Sequence, residues 1–91
     1  MYEGPGIYRH YKGGYYRVLG VAKHESRGTE TVIYHSYSID HDLDRFMQGV
    51  DFVARPLNEV DGPDPFNSFV VVHDGDPEIS SQRISRFRRV K

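Results

Sequence analysis

The 91-residue chain has no cysteine and no tryptophan. Without cysteine there are no disulfides, thiolate metal sites or cysteine nucleophiles, and the composition suits a reducing cytoplasm. No segment approaches the roughly 18 consecutive apolar residues of a membrane-spanning helix. Met1-Tyr2-Glu3-Gly4-Pro5 lacks the charged region and apolar run of a secretory signal. A cytoplasmic protein with no membrane partner is therefore expected. No serine sits in a Gly-x-Ser-x-Gly elbow. Neither Gly4-Pro5-Gly6 nor Lys12-Gly13-Gly14 precedes a helical pattern whose N-terminus would hold phosphate. There is no internal repeat and no low-complexity segment.

Aromatic residues are plentiful, with seven Tyr and five Phe. Each can bury about 150–250 Å², and a chain of this mass buries roughly 64% of its unfolded surface. That supports one modest core and a single domain over residues 1–91, with apolar packing as the stabilising force.

The pattern along the chain is that of strands and turns. Ile7 to Tyr11 is a short apolar-polar run that ends at Lys12-Gly13-Gly14, a tight hairpin turn. A long strand follows from Tyr15 to about His24, with Tyr15, Arg17, Leu19 and Val21 expected on one face and Tyr16, Val18, Gly20 and Ala22 on the other. Gly20 marks a bend or bulge. Ser26-Arg27-Gly28 is a turn, and Glu30 to Ser38 is rich in β-branched and tyrosine residues. From Asp40 to Gly49 the alternation stops, and Leu43, Phe46 and Met47 at i, i+3, i+4 fit one or two helical turns or an ordered loop. Strands are expected at Val50 to Arg55, Asn67 to His73 and Arg83 to Val90. A turn or short 3₁₀ connection is expected over Leu57 to Pro65, and a turn at Asp74 to Pro77. The fold expected is all-β, a small closed SH3-like barrel of five or six short strands with a short helical insertion at about 40–48. Val18, Leu19, Val21, Ile33, Tyr34, Val53, Val70 and Phe87 are expected in its core.

Two patterns evoke metal chemistry and fall short of it. Asp40-His41-Asp42-Leu43-Asp44 has the spacing that opens a calcium loop, but Arg45 stands where the loop needs glycine, and Asp51 is one carbon short of the closing glutamate. None of the five histidines pairs at helical zinc spacing. His24 and His35 would meet only across the Ser26-Arg27-Gly28 hairpin, with Glu25 as a third ligand. No metal and no cofactor is expected.

Charge is segregated. Residues 1–27 carry five Lys/Arg and two Asp/Glu, residues 28–78 two and eleven, and residues 79–91 five and none. Two basic ends flank an acidic middle and would form one patch if the ends meet. Within the first end, Tyr8-Arg9-His10-Tyr11-Lys12 interleaves cations with flat rings, as stacking recognition of a base or docking of a peptide requires.

The segments Gly6-Ile7-Tyr8-Arg9-His10-Tyr11-Lys12-Gly13 and Tyr16-Arg17-Val18-Leu19-Gly20-Val21-Ala22-Lys23-His24 resemble the bacterial and phage family numbered 1653 among domains of unknown function. Val32-Ile33-Tyr34 resembles its V-x-Y strand, Phe52-Val53-Ala54-Arg55-Pro56-Leu57 its W-V-R-P-L stretch, and Arg86-Phe87 its closing R-F. Asp40 to Gly49 and about Asp74 to Gln82 read as insertions, and the family's tryptophan is absent. The resemblance implies a mostly β, cytoplasmic domain of bacterial or phage origin and assigns no catalytic residue.

Three functional readings follow. The first is a non-catalytic binding module for a small anionic ligand, a nucleic-acid segment or a peptide, its site drawn from Tyr8, Arg9, His10, Tyr11, Arg17 and Arg55. Arg55 stands at a strand end, where a guanidinium can clamp an anion. Alternation separates Tyr8 and His10 from Arg9 and Tyr11, so all six cannot share one flat face, and Tyr8 belongs to the core if Arg9 and Tyr11 face outward. The second reading is a small hydrolytic or metal-dependent enzyme using His24 and His35. The third is a structural domain whose exposed strands pair between chains as a homodimer.

Overall fold

The computed structural model describes residues 1–38, 51–73 and 81–91. These form seven strands: β1 (Gly6–His10), β2 (Tyr15–Lys23), β3 (Glu30–Tyr37), β4 (Val53–Pro56), β5 (Phe69–His73), β6 (Ser81–Ser85) and β7 (Phe87–Arg89). The fold is mainly β. The expected insertion at 40–48 and the turn at 74–77 lie outside the described residues.

The β1–β2 turn follows from two adjacent glycines. Gly13 and Gly14 both take positive φ, at 96° and 81°, a conformation other residues adopt only at a cost. At the β2–β3 turn the His24 imidazole acts as a cap, its Nδ1 accepting from the amides of Ser26 and Arg27 at 3.3 Å each.

Antiparallel ladders assemble a five-stranded sheet in the order β4-β3-β2-β1-β7, and β5 and β6 form a separate two-stranded ribbon. Among the described residues the expected closed barrel is not formed. β4 and β7 are the two edges of the larger sheet, and no ladder joins them. The single closing strand expected over 83–90 is divided at Arg86. There the Arg86 amide donates to the Ser68 carbonyl at 2.9 Å, and the Arg86 carbonyl accepts from the Tyr11 amide at 3.0 Å. These bonds turn the chain out of the ribbon as β6 and into the main sheet as β7.

A bulge in β2 changes the expected faces. Val18 pairs with Tyr34 and Gly20 with Ile33, leaving Leu19 as the extra residue. One extra residue reverses the alternation beyond it. Val21 therefore lies on the core side with Tyr16 and Val18, packed against the core cluster. Leu19 is 38% exposed and Val53, on the edge strand β4, 43%, so neither is the core residue the alternation predicted. Ile33 and Val70 are half-buried.

The core consists of Tyr8, Val18, Val32, Tyr34, Leu57, Phe66 and Phe87, with Tyr2, Tyr16 and Val21 against it. Phe66 comes from the connection between β4 and β5. This begins with a 3₁₀ turn at Glu59–Asp61, as expected, held by the Asp61 carboxylate accepting from the Asn58 amide at 3.3 Å. The Phe66 amide then returns to the Pro56 carbonyl at 2.7 Å and the Asn67 amide to that of Leu57 at 2.8 Å. That return places the Phe66 ring flat on Phe87, with centroids 4.3 Å apart and planes 6° from parallel. Burying two large rings together supplies apolar area and a favourable aromatic contact at the mouth of the curled sheet.

Candidate functional site

Sheet curvature brings side chains from distant strands together at the β1–β7 end. Tyr8 points inward and is wholly buried. Its hydroxyl accepts from the Glu3 amide and donates to the Gly4 carbonyl, each at 2.7 Å. Burial pushes its pKa up, the bond from Glu3 opposing. With both hydrogen-bonding roles filled, Tyr8 is a structural anchor for the N-terminal segment and is not presented to a ligand.

His10, two residues on, shares the inward face but sits at its margin. Its ring meets Tyr11 at 4.5 Å and Phe87 at 5.0 Å. Nδ1 accepts from the Lys12 amide at 3.2 Å, so the proton of the neutral ring is on Nε2. Burial, then the positive charges of Arg55, Arg86 and Lys12, hold its pKa below the ordinary histidine value, with Asp64 opposing.

Arg9 lies on the outward face, and its direct partner across the β1–β7 ladder is Arg88. These two arginines, with His10, Tyr11, Ile84 and Ser85, line a groove of about 400 Å³. Among the described residues neither Arg9 nor Arg88 forms an ion pair. Further cations surround the Tyr11 ring: Lys12 Nζ is 5.7 Å and the Arg86 guanidinium carbon 5.8 Å from its centroid. The two basic ends of the sequence do meet here, through β1 and β7.

Arg55 and Arg17 stand apart from this groove. Arg17 shares the outward face, opposite Ile7 and His35. Arg55 is on the inward face of β4. Its Nε donates to the Tyr34 hydroxyl at 3.0 Å, and its Nη1 donates to the Asp64 carbonyl at 3.1 Å and pairs with the Asp64 carboxylate. Arg86 reaches the other oxygen of that carboxylate at 2.7 Å and donates from Nε to Ser68 Oγ at 2.7 Å. One aspartate thus bridges two guanidiniums beside the rings of Tyr34 and Phe87.

The residues proposed from sequence are therefore dispersed, with Tyr8 in the core and Arg17 elsewhere on the outward face. Arg9, His10 and Tyr11 belong to the groove, and Arg55 to the inner cluster. The sequence pattern leaves Arg88 and Asp64 out of the candidate site and marks Arg86 only through the R-F resemblance. Arg88 had no local signal, since it becomes the partner of Arg9 only through pairing across 78 intervening residues. Asp64 had one, a carboxylate between Pro63 and Pro65, where the backbone is held rigidly.

The chemistry proposed for His24 and His35 is not assembled. His24 lies beyond the Lys23 end of β2, while His35 faces Arg17 on the same ladder, so about 20 Å of strand separates them. His35 is buried, with Nδ1 donating to the Ser36 carbonyl at 2.8 Å and its ring edge against Phe52. Among the described residues no three His, Asp or Glu side chains converge as metal ligands, and no helix is long and apolar enough to cross a membrane. The ribbon exposes Phe69 and Val71, with the Arg83 guanidinium carbon 4.6 Å from the centroid of the Phe69 ring.

A family model described as "Protein of unknown function (DUF1653)" matches residues 6–59, more than half of the chain. The chain belongs to this family. The DUF1653 segment spans β1 to β4 and the start of the 3₁₀ turn, and it contains His10, Tyr11, Tyr34 and Arg55. It ends before Asp64, Arg86, Phe87 and Arg88, so both clusters combine residues inside and outside the DUF1653 match. No curated protein and no solved structure matches the chain.

Proposed function

We propose that this DUF1653 chain is a non-catalytic binding module for a phosphate-bearing ligand with a flat ring, a nucleotide or a short single-stranded nucleic acid. The ligand would occupy the groove between β1, β6 and β7. The observation that carries this reading is the direct cross-strand pairing of Arg9 with Arg88. Like charges placed opposite each other on a ladder are destabilising, and an anion between them relieves that repulsion with charge-assisted bonds. Tyr11 and His10 add ring faces on which a base can stack. The groove volume of about 400 Å³ falls within the range of small-ligand sites, roughly 300–1,000 Å³.

The experiment is titration of mononucleotides and of single-stranded DNA and RNA oligomers into the wild type and the Arg9→Ala, Arg88→Ala double variant, at several salt concentrations. Wild type should bind with Kd below about 100 μM at low salt, equivalent to roughly −5.5 kcal/mol. Binding of the oligomers should weaken with salt by a log–log slope of about 0.7–0.9 per phosphate contacted. The double variant should lose at least tenfold. Absence of binding to wild type, or binding unchanged in the double variant, would overturn the reading.

A further inference from the structure

The inner cluster resembles a ligand site that the chain fills with its own side chain. The Arg55 and Arg86 side chains are only 20% and 21% exposed, whereas Asp64 is 55% exposed. The carboxylate thus enters from the solvent side onto two prearranged guanidiniums. Two cations around one anion leave the cluster with a net positive charge. Asp64 is also the one non-glycine residue with positive φ among the described residues, at 56°. It precedes Pro65, which further restricts its backbone. Its ion pairs hold the loop in a conformation the backbone alone disfavours.

Next to this contact is a cavity of about 200 Å³, lined by Tyr34, Val53, Arg55, Pro56, Pro63 and Asp64. Its walls combine apolar carbon with polar groups. The Tyr34 hydroxyl accepts from Arg55 Nε, and its own proton has no acceptor among the described residues. A donor, a guanidinium and a displaceable carboxylate therefore share one small open recess. The volume is below that of a typical drug-sized site, so the occupant is small.

We propose that Arg55 and Arg86 form a carboxylate-binding site of which Asp64 is the built-in occupant. A carboxylate borne on a small apolar group displaces Asp64, accepts from the guanidiniums and the Tyr34 hydroxyl, and rests its apolar part against Val53, Pro56 and Pro63. Binding of the ligand and release of the Asp64 loop are then one event. This site is separate from the Arg9–Arg88 groove and stands or falls independently of it.

The test is NMR titration of the full chain with isobutyrate, as a free acid, N-acetylvaline, as a peptide chain end, and N-acetylvaline amide, which lacks the carboxylate. Wild type, Asp64→Asn, Asp64→Gly and the Asp64→Asn, Arg55→Gln double variant are compared. Removing the internal competitor should tighten acid binding at least tenfold in both Asp64 single variants. The amide should not bind, and the double variant should lose the gain. A preference for isobutyrate identifies a free acid, and a preference for N-acetylvaline a peptide terminus. Either supports the site. Asp64→Gly relieves the positive φ and keeps the comparison available if Asp64→Asn does not fold. If neither variant folds, high concentrations of acid but not amide must still shift the Arg55 Nε resonance of wild type. Equal responses to acid and amide, or folded Asp64 variants that bind no acid, would overturn the proposal.

Discussion

The guanidinium carbon of Arg55 lies 5.2 Å from the centroid of the Phe87 ring, although the two residues belong to β4 and β7, the opposite edges of a five-stranded sheet. The sheet curls far enough for its edges to touch through side chains without meeting through backbone. A cation–π contact and the Phe66 ring stacked on Phe87 stand where a closed barrel would have a ladder. The opening left by that missing ladder is where the Arg55–Asp64–Arg86 bridge lies.

Phe87 should accordingly be a dominant stabilising residue. It is 1% exposed and contacts the rings of Phe66, Tyr34, Tyr16 and His10. Phe87→Ala is expected to cost about 3–5 kcal/mol, measured by urea denaturation. A loss below about 1 kcal/mol would show that the edges are not held through this ring.

Leu19→Ala should be mild. As the extra residue of the bulge, 38% exposed, Leu19 should contribute about 1 kcal/mol or less, against the 2–5 kcal/mol usual for a core leucine. A loss in the core range would place the bulge elsewhere in β2.

Gly6→Ala should destabilise. A Cβ at this position would stand 2.7 Å from Arg89 Nε and 3.0 Å from the Lys91 carbonyl, on a backbone with φ of 154°. The side chain can move, but the backbone beyond β7 is held, the amides of Val90 and Lys91 donating to the Ile7 carbonyl at 2.8 and 3.3 Å. A cost of about 1–3 kcal/mol is expected, with a lowered midpoint in thermal denaturation. An unchanged midpoint would mean that the C-terminal residues do not pack here.

Arg88→Glu should separate stability from binding. It converts the Arg9–Arg88 pair into opposite charges on the same ladder, a gain of roughly 0.2–1 kcal/mol. The same change should abolish nucleotide binding in the groove. A variant that is destabilised, or that still binds, would contradict the role given to the pair.

His10 should make stability depend on pH. Its folded pKa is lowered by burial and by Arg55, Arg86 and Lys12, so the unfolded chain takes up the proton more readily. The associated stabilisation is complete above the ordinary histidine value of about 6.5 and is lost as pH falls through the folded value. The urea midpoint of wild type should decline over that window more than that of His10→Gln, and an anion bound in the groove should raise the His10 pKa. Parallel pH profiles for the two proteins would remove His10 from this account.

Much of the local structure was legible in the chain itself. The glycine pair at 13 and 14 dictates a tight reversal, and the β-branched and tyrosine residues of Glu30 to Tyr37 suit a pleated strand. The punctuation between Leu57 and Pro65 marks a short connection. These depend on backbone preferences that act within a few residues. Candidate residues were legible in the same way: cations alternating with rings from Tyr8 to Lys12 marked the segment from which the groove takes Arg9, His10 and Tyr11.

Tertiary structure decided the rest, because a strand's partners and the side its residues face are set by contacts far away in sequence. Gly20 announced a bulge, but only pairing with β3 makes Leu19 the extra residue and turns Val21 inward. The run from Arg83 to Val90 reads as one strand, and only the bonds from Arg86 to Ser68 and Tyr11 divide it between two sheets. Arg88 carries no local mark of partnership with Arg9, and the prolines flanking Asp64 do not point to Arg55. They acquire these partners because an antiparallel ladder and a returning loop set charges side by side, at distances where Coulomb energy is large and a repeating pattern along the chain has nothing to say.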